Sequence, residues 1–352
     1  MAIFGHDAEQ ARRRIGHPSQ LGGIKQYTLT DGWAAGMRAV DFRTTQGLEF
    51  TVLLDRAMDI SEARYKGRSL CWRSPAGDVA PAYYNPKGIE WLRTFCGGLL
   101  ATCGLTNVGP PTQEPDETGL HGRFGACPAE QVSFSEWWEG DSPLMQVSGV
   151  IREAVLFGPA LEVRRTILAR GDGAGLSVRD TITNIGTRPA PCMLLYHINT
   201  GFPLLGDGTE LILSAAKTEP RDAEAAEGIE DWARMHAPVT GYREKVYFHT
   251  LRAEAGGQAT VAVVNRGPAG GLGLRLRFRT DELPCFTQWK MLGDKEYVLG
   301  IEPGNCFPMG REHERAAGRL VELAVGEQVS AGFELEVVEG EGLEALVREA
   351  GG

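Results

Sequence analysis

Residues 161–184 read LEVRRTILARGDGAGLSVRDTITN, two strand-like runs on either side of a short Gly-Asp-Gly-bearing loop. Apolar and polar residues alternate with a period of two, as in a strand with one face turned to a core. Two such runs joined by a glycine-containing loop form an antiparallel hairpin. Parallel sheets instead need a long crossover, usually helical, between successive strands.

The same pattern recurs on both sides of this hairpin. LEFTVLLDRAMDI (48–60), LGLRLRFRT (272–280) and YVLGIEP (297–303) all show period-two alternation or short apolar runs, punctuated by Gly and Pro. Helical signals are fewer: NPKGIEWLRTFCGG (85–98), RDAEAAEGIEDWARMH (221–236) and EGLEALVREA (341–350). None repeats between strands in a βαβ order. The expected class is therefore all-β, a large antiparallel sandwich of sheet on sheet with a few short helices on its connections. No composition shift or fixed repeat cuts the 352 residues, so one large unit is expected over 1–352. It divides into N-terminal strands and connections (1–45), a main sandwich (46–340) and a C-terminal tail (341–352).

Hydrophobic residues make up 42% and charged residues 23%, the balance of a soluble globular chain rather than a disordered or membrane one. A net charge of −10 argues against nucleic acid or an anionic membrane surface as partner, because both are recruited by basic fields. The N-terminal triple arginine has no apolar stretch after it, so no signal peptide is read and the cytoplasm is the expected compartment. Seven scattered cysteines without a C-x-x-C pair read as reduced thiols. An oligomer is compatible with the sequence.

Chemistry is sought where polar residues interrupt apolar strands. In LLYHINTGFPLLG (194–206), His197 and Asn199 follow a buried run and share one face of an extended strand. Each polar atom taken there from water must find a hydrogen bond, from the fold or from a ligand. Glu302 closes YVLGIEPGN, and Pro303 holds it extended so that its carboxylate projects from a fixed backbone. LHGRFG sets His121 and Arg123 two apart between glycines, and GLTNVG supplies Asn107. LLDRAMDI offers Asp55 and Arg56; TQWKMLG offers Gln288 and Lys290 on one face of a strand. The histidines at 6, 17, 236, 249 and 313 are expected to titrate in solvent, with His313 the best spare metal ligand. No H-x-H or H-E-x-x-H spacing, phosphate loop, G-x-S-x-G elbow or dinucleotide fingerprint occurs.

Taken in order, LHGR, YHINTGFPLL and GIEPGN resemble the aldose 1-epimerase family, the galactose mutarotase-like proteins. LLDRAMDI and TQWKMLGDKEYVLGIEPGN are similar to its DUF4432 branch in particular, and the matches extend over roughly residues 50 to 310. The resemblance implies a β-supersandwich whose concave face holds an aldose, a small-molecule carbohydrate, with no cofactor and no metal. It assigns His197 as the acid that protonates the ring oxygen, Glu302 as the base at the anomeric hydroxyl, and His121 as a sugar holder. Arg123, Asp55, Arg56, Asn107, Asn199, Gln288 and Lys290 complete the expected substrate-binding set. Two other readings stay open on the same cleft: a non-catalytic carbohydrate-binding protein, and a metal-assisted sugar isomerase or lyase using His121, His197, Glu302 and His313.

Overall fold

The computed structural model describes residues 3–112, 118–267 and 271–352. Its strands form three sheets in which the described pairings are antiparallel. The first is a meander in chain order: Gly23–Thr28, Arg38–Arg43, Leu48–Leu53, Asp59–Tyr65 and Arg68–Ser69. The second has eight strands, and the opening hairpin lies inside it as Ala160–Arg170 paired with Gly175–Asn184. The third sheet carries Ala215–Pro220, Lys245–Leu251, Cys285–Leu292, Tyr297–Gly304, Ala190–Gly201 and Val321–Leu323 in spatial order, with Ala101–Leu105 also paired to Ala190–Gly201. This is the all-β sandwich that the alternation predicts.

One buried cluster draws on all three sheets, including Phe42 and Phe50, Ile167, Val178 and Phe333, and Tyr196, Ile198 and Ile301. Strand parity then sorts the third sheet. Tyr196 faces the second sheet, its ring edge-on to Phe333 with centroids 4.9 Å apart. His197 therefore faces the opposite side, because successive side chains alternate. That outer face has its own apolar cluster: Trp91, Phe95, Cys103, Met193, Leu195 and Cys306, flanked by Trp72 and Trp289. With both faces covered, Ala190–Gly201 is buried almost throughout, which explains its near-continuous apolar sequence.

A buried ionic network ties the sheets together. Arg165 is fully buried and binds Asp180 through two bonds, Nε to Oδ1 at 2.9 Å and Nη2 to Oδ2 at 2.7 Å. Its Nη1 donates to the Ala57 carbonyl at 2.8 Å and Thr102 Oγ1 at 2.9 Å, and lies 3.3 Å from Asp59. Tyr196 donates to Asp180 Oδ2 at 2.7 Å. Every charge in the group is thus paired and hydrogen-bonded, the condition under which a buried ion is tolerable.

The helices are shorter than the sequence suggests. Over 85–98 there is only the 3-10 segment Glu90–Arg93, and over 221–236 the α-helix Ala223–Glu227 with the 3-10 turn Ile229–Asp231. The tail helix Gly342–Gly351 is present and packs Leu343, Leu346 and Ala350 against Ala262 and Val264. Arg311–Ala316 is a further helix without a predicted counterpart. All seven cysteines are free and buried.

Candidate active site

The outer face of the third sheet lines a cleft of about 800 Å³. Its floor is set by register. Leu195 pairs with Gly304 and Ile198 with Ile301, and that register brings His197 opposite Glu302. Glu302 pairs in turn with Thr287 on the next strand. Three polar side chains thus stand in a row across three neighbouring strands, pointing out of the sheet on one side.

His197 Nε2 lies 3.3 Å from Glu302 Oε1. Both residues are nearly inaccessible, at 6% and 2% exposure. Gly300 makes room for the carboxylate, since a Cβ there would come within 2.3 Å of Glu302 Oε1. His121 enters from the connection after Ala101–Leu105. Its backbone N donates to the Gly109 carbonyl at 2.8 Å and its carbonyl accepts from Gly104 N at 3.0 Å. The next residue must be glycine: Gly122 has φ +71°, and a Cβ would lie 2.4 Å from the Gly104 carbonyl oxygen. The His121 and His197 rings sit 6.0 Å apart. Trp91 lies against His121 at 4.8 Å, and Phe95 and Trp289 flank His197 at 5.2 and 5.4 Å.

This dry surround sets the protonation states. Burial pushes the Glu302 carboxyl well above the usual carboxylate range, reinforced by Glu244 and opposed by Arg221. Burial, with His121 adding to it, brings the His197 imidazole down to about 3; burial alone brings His121 down to about 4. The pair therefore rests as a neutral imidazole beside a protonated carboxyl, with one exchangeable proton between them. Four buried polar atoms of cleft residues have no hydrogen-bond partner among the described residues: Nδ1 of His121, Nδ1 of His197, Oγ1 of Thr287 and Oε1 of Glu302. A cluster of unpaired polar atoms in one cavity is the mark of a place built for a polar ligand or water.

The structure brings together only part of the predicted set. His121, His197 and Glu302 line one cleft. The other seven candidates do not line it, and six of them have a side-chain partner elsewhere. Asp55 pairs with Arg38 at 2.6 Å, and Arg56 donates to the Val79 carbonyl at 3.1 Å. Asn107 pins a loop, donating to the Pro110 carbonyl at 2.8 Å and accepting from Arg311 N at 3.1 Å. Asn199 does share the His197 side of its strand, but its amide donates to the carbonyls of Gly98 and His197 at 3.1 and 3.0 Å. Arg123 is exposed outside the cleft.

Gln288 and Lys290 point to the inner face, the opposite parity from Thr287 and Trp289. Gln288 donates to the Trp232 carbonyl at 2.7 Å, and Lys290 to the carbonyls of Asp231 and Arg234 at 2.6 Å each. Burial brings the Lys290 amine down to about 8. His249 corrects the expectation of a solvent histidine. It is fully buried, with Nε2 3.1 Å from Gln288 Oε1 and Nδ1 2.9 Å from Thr218 Oγ1, and burial brings it down to about 4. His313 is exposed on the helix Arg311–Ala316, away from the cleft. Among the described residues no three His, Cys, Asp or Glu groups are set to hold a metal ion. No helix among them is long and apolar enough to cross a membrane.

Sequence reasoning missed Thr287, Arg221 and Glu244, together with the wall formed by Trp72, Trp91 and Phe95. Parity would have found Thr287, which shares a face with Trp289. The others come from connections or strand ends whose place is fixed only by tertiary folding.

Among solved structures, a protein from Klebsiella pneumoniae named provisionally as an aldose 1-epimerase superposes with a TM-score of 0.87 at 24% identity, covering 94% of this chain and 88% of that one. A galactose mutarotase-like protein from Clostridium acetobutylicum gives 0.60 at 13% identity, covering 91% and 100%. Galactose 1-epimerase from Lactobacillus acidophilus gives 0.58 at 12%, also covering 91% and 100%. These likenesses are of fold. No curated protein sequence matches the chain. The family described as Domain of unknown function (DUF4432) matches residues 34–337. With that match spanning most of its length, the chain belongs to the DUF4432 family, on the galactose mutarotase-like fold.

Proposed function

We propose that the protein is an aldose 1-epimerase-type isomerase that interconverts the anomers of a sugar or modified sugar by ring opening, with His197 as acid and Glu302 as base. The observation that carries this reading is the buried His197–Glu302 contact at 3.3 Å, in a cleft with four unpartnered polar atoms. Opening a cyclic aldose takes the proton from the anomeric hydroxyl and delivers one to the ring oxygen. The C1–ring oxygen bond breaks, and a carbonyl forms at C1. Rotation about C1–C2 and the reverse transfers close the ring on the other face. Both oxygens are bonded to C1, so acid and base must stand only a few ångströms apart, and neighbouring residues on paired strands meet that demand.

At rest the exchangeable proton sits on Glu302; its passage across the 3.3 Å contact to Nε2 of His197 makes the imidazolium the acid and the carboxylate the base, and the pair ends each cycle with the same proton, so the chemistry needs no further reactant. His121, 6.0 Å from His197 between ring centroids, reaches the same volume and serves to hold a sugar hydroxyl. The aromatic walls suit the apolar C–H face of a sugar ring, with a few polar groups fixing orientation. The test is magnetisation-exchange NMR on a panel of reducing sugars. Anomer exchange faster than in buffer supports the reading; tight sugar binding without faster exchange assigns the cleft to carbohydrate binding alone.

A further inference from the structure

Arg221 is the only lysine or arginine that lines the cleft among the described residues. A lone cation in a sugar-sized cavity would ordinarily serve as an anchor for a carboxylate, sulfonate or phosphate on the ligand. Here it is already engaged. Its Nε lies 2.8 Å from Asp222 Oδ2, and its Nη2 donates to Glu244 Oε1 at 2.9 Å. The second oxygen of Glu244 accepts from the indole Nε1 of Trp289 at 2.8 Å. One carboxylate thus spans Arg221 and the aromatic ring that packs against His197. A further acidic residue, Glu296, also lines the cavity.

Resting on the mutarotase reading above, we propose that Glu244 is a specificity-determining residue: it fixes the Trp289 wall and, with Asp222, cancels the charge of Arg221. The cleft then takes an uncharged aldose ring and discriminates against the corresponding uronate. An anionic ring would meet the exposed carboxylates of Asp222, Glu244 and Glu296 along the cleft, with Arg221 already paired to two of them, and like charge set against the wrong ligand is a basis for discrimination.

The experiment compares matched neutral and anionic sugars, galactose with galacturonate and glucose with glucuronate, on wild type, Glu244→Gln and Trp289→Phe. Anomer exchange and ligand binding by saturation-transfer NMR are both recorded. Wild type is expected to favour the neutral sugar in kcat/KM by about tenfold or more. Glu244→Gln keeps a carbonyl acceptor for the indole but releases part of the Arg221 charge, so it should cut that ratio by roughly fivefold. Trp289→Phe removes the Nε1 donor and should raise KM for both sugars while leaving the ratio in place. Thermal unfolding of each variant reports that it is folded. Equal use of both sugars by wild type, or a ratio unmoved by Glu244→Gln, would overturn the proposal. Should no sugar show faster exchange, the mutarotase reading fails, and the binding ratio still decides this one: preference for the neutral ring that Glu244→Gln narrows supports it, whereas equal affinity or no binding overturns it.

Discussion

His197 and Glu302 face each other on neighbouring antiparallel strands, Nε2 to Oε1 at 3.3 Å, and among the described residues neither side chain has another hydrogen-bond partner at the facing oxygen or at Nδ1. Burial favours the uncharged form of each. An imidazole and a carboxyl with one exchangeable proton between them form a complete acid–base couple, and both residues are nearly inaccessible to solvent.

The first consequence is a displaced pH profile. Lowering the pH through the His197 value of about 3 puts a second proton on the pair and removes its base. Raising it through the Glu302 value, well above the usual carboxylate range, removes the shared proton and with it the acid. We expect kcat/KM for anomer exchange to have its acid limb near the His197 and His121 values of about 3 and about 4, well below the ordinary histidine value of 6.5, with the alkaline limb set by Glu302. An acid limb at the unperturbed imidazole value would contradict the buried pair.

Gly300 gives a second test. A methyl there would press on the Glu302 oxygen at 2.3 Å and on Trp289 Cβ at 3.0 Å, while the backbone φ is one that any residue adopts. Gly300→Ala should therefore fold but shift the carboxylate, lowering kcat by roughly 10- to 100-fold, the scale set by misplacement of a reacting group by about 1 Å. Steady-state exchange rates alongside circular dichroism would check it.

Stability should depend on pH through His249, which lies outside the cleft. Its folded value of about 4 is below the ordinary 6.5, so the unfolded chain takes up the proton first as pH falls. The contribution is fully present above pH 6.5 and is lost as pH falls toward 4, up to about 3 kcal/mol for a shift of this size. His121 and His197 act in the same direction; Glu302, raised rather than lowered, contributes most below its ordinary 4.5 and loses that as pH rises. Urea unfolding between pH 7 and pH 4 should show a decline that is shallower in His249→Gln. Equal slopes in the two proteins would count against a buried neutral His249.

Arg165 tests the core. Arg165→Leu leaves Asp180 and Asp59 buried without their cation, so we expect a loss of about 3–5 kcal/mol in unfolding free energy. A change below about 1 kcal/mol would show that the network is not what joins the sheets.

Much of the fold was legible because alternation survives folding: the 161–184 hairpin, the 272–280 strand and the 297–303 strand appear as the pattern predicts. His197 and Glu302 were legible for the converse reason, as polar residues placed at positions where the pattern calls for apolar ones. Gln288 and Lys290 misled because they break the pattern equally, yet their parity turns them inward, where backbone carbonyls of the 231–234 segment receive them. Arg221 and Glu244 carry no local signal at all. Each looks like a surface charge, and only the pairing of Lys245–Leu251 with Ala215–Pro220 and Cys285–Leu292 brings them beside Trp289. His249 was hidden similarly, since its partners Thr218 and Gln288 are far away in sequence.

The most direct measurement is NMR magnetisation exchange between the anomers of an accepted neutral aldose, recorded for wild type, His197→Ala and Glu302→Gln at matched concentration. We expect acceleration by wild type and a fall of roughly 100-fold or more in each variant, with sugar binding retained. Variants that exchange anomers as fast as wild type would contradict the assignment of His197 and Glu302 as the acid–base pair.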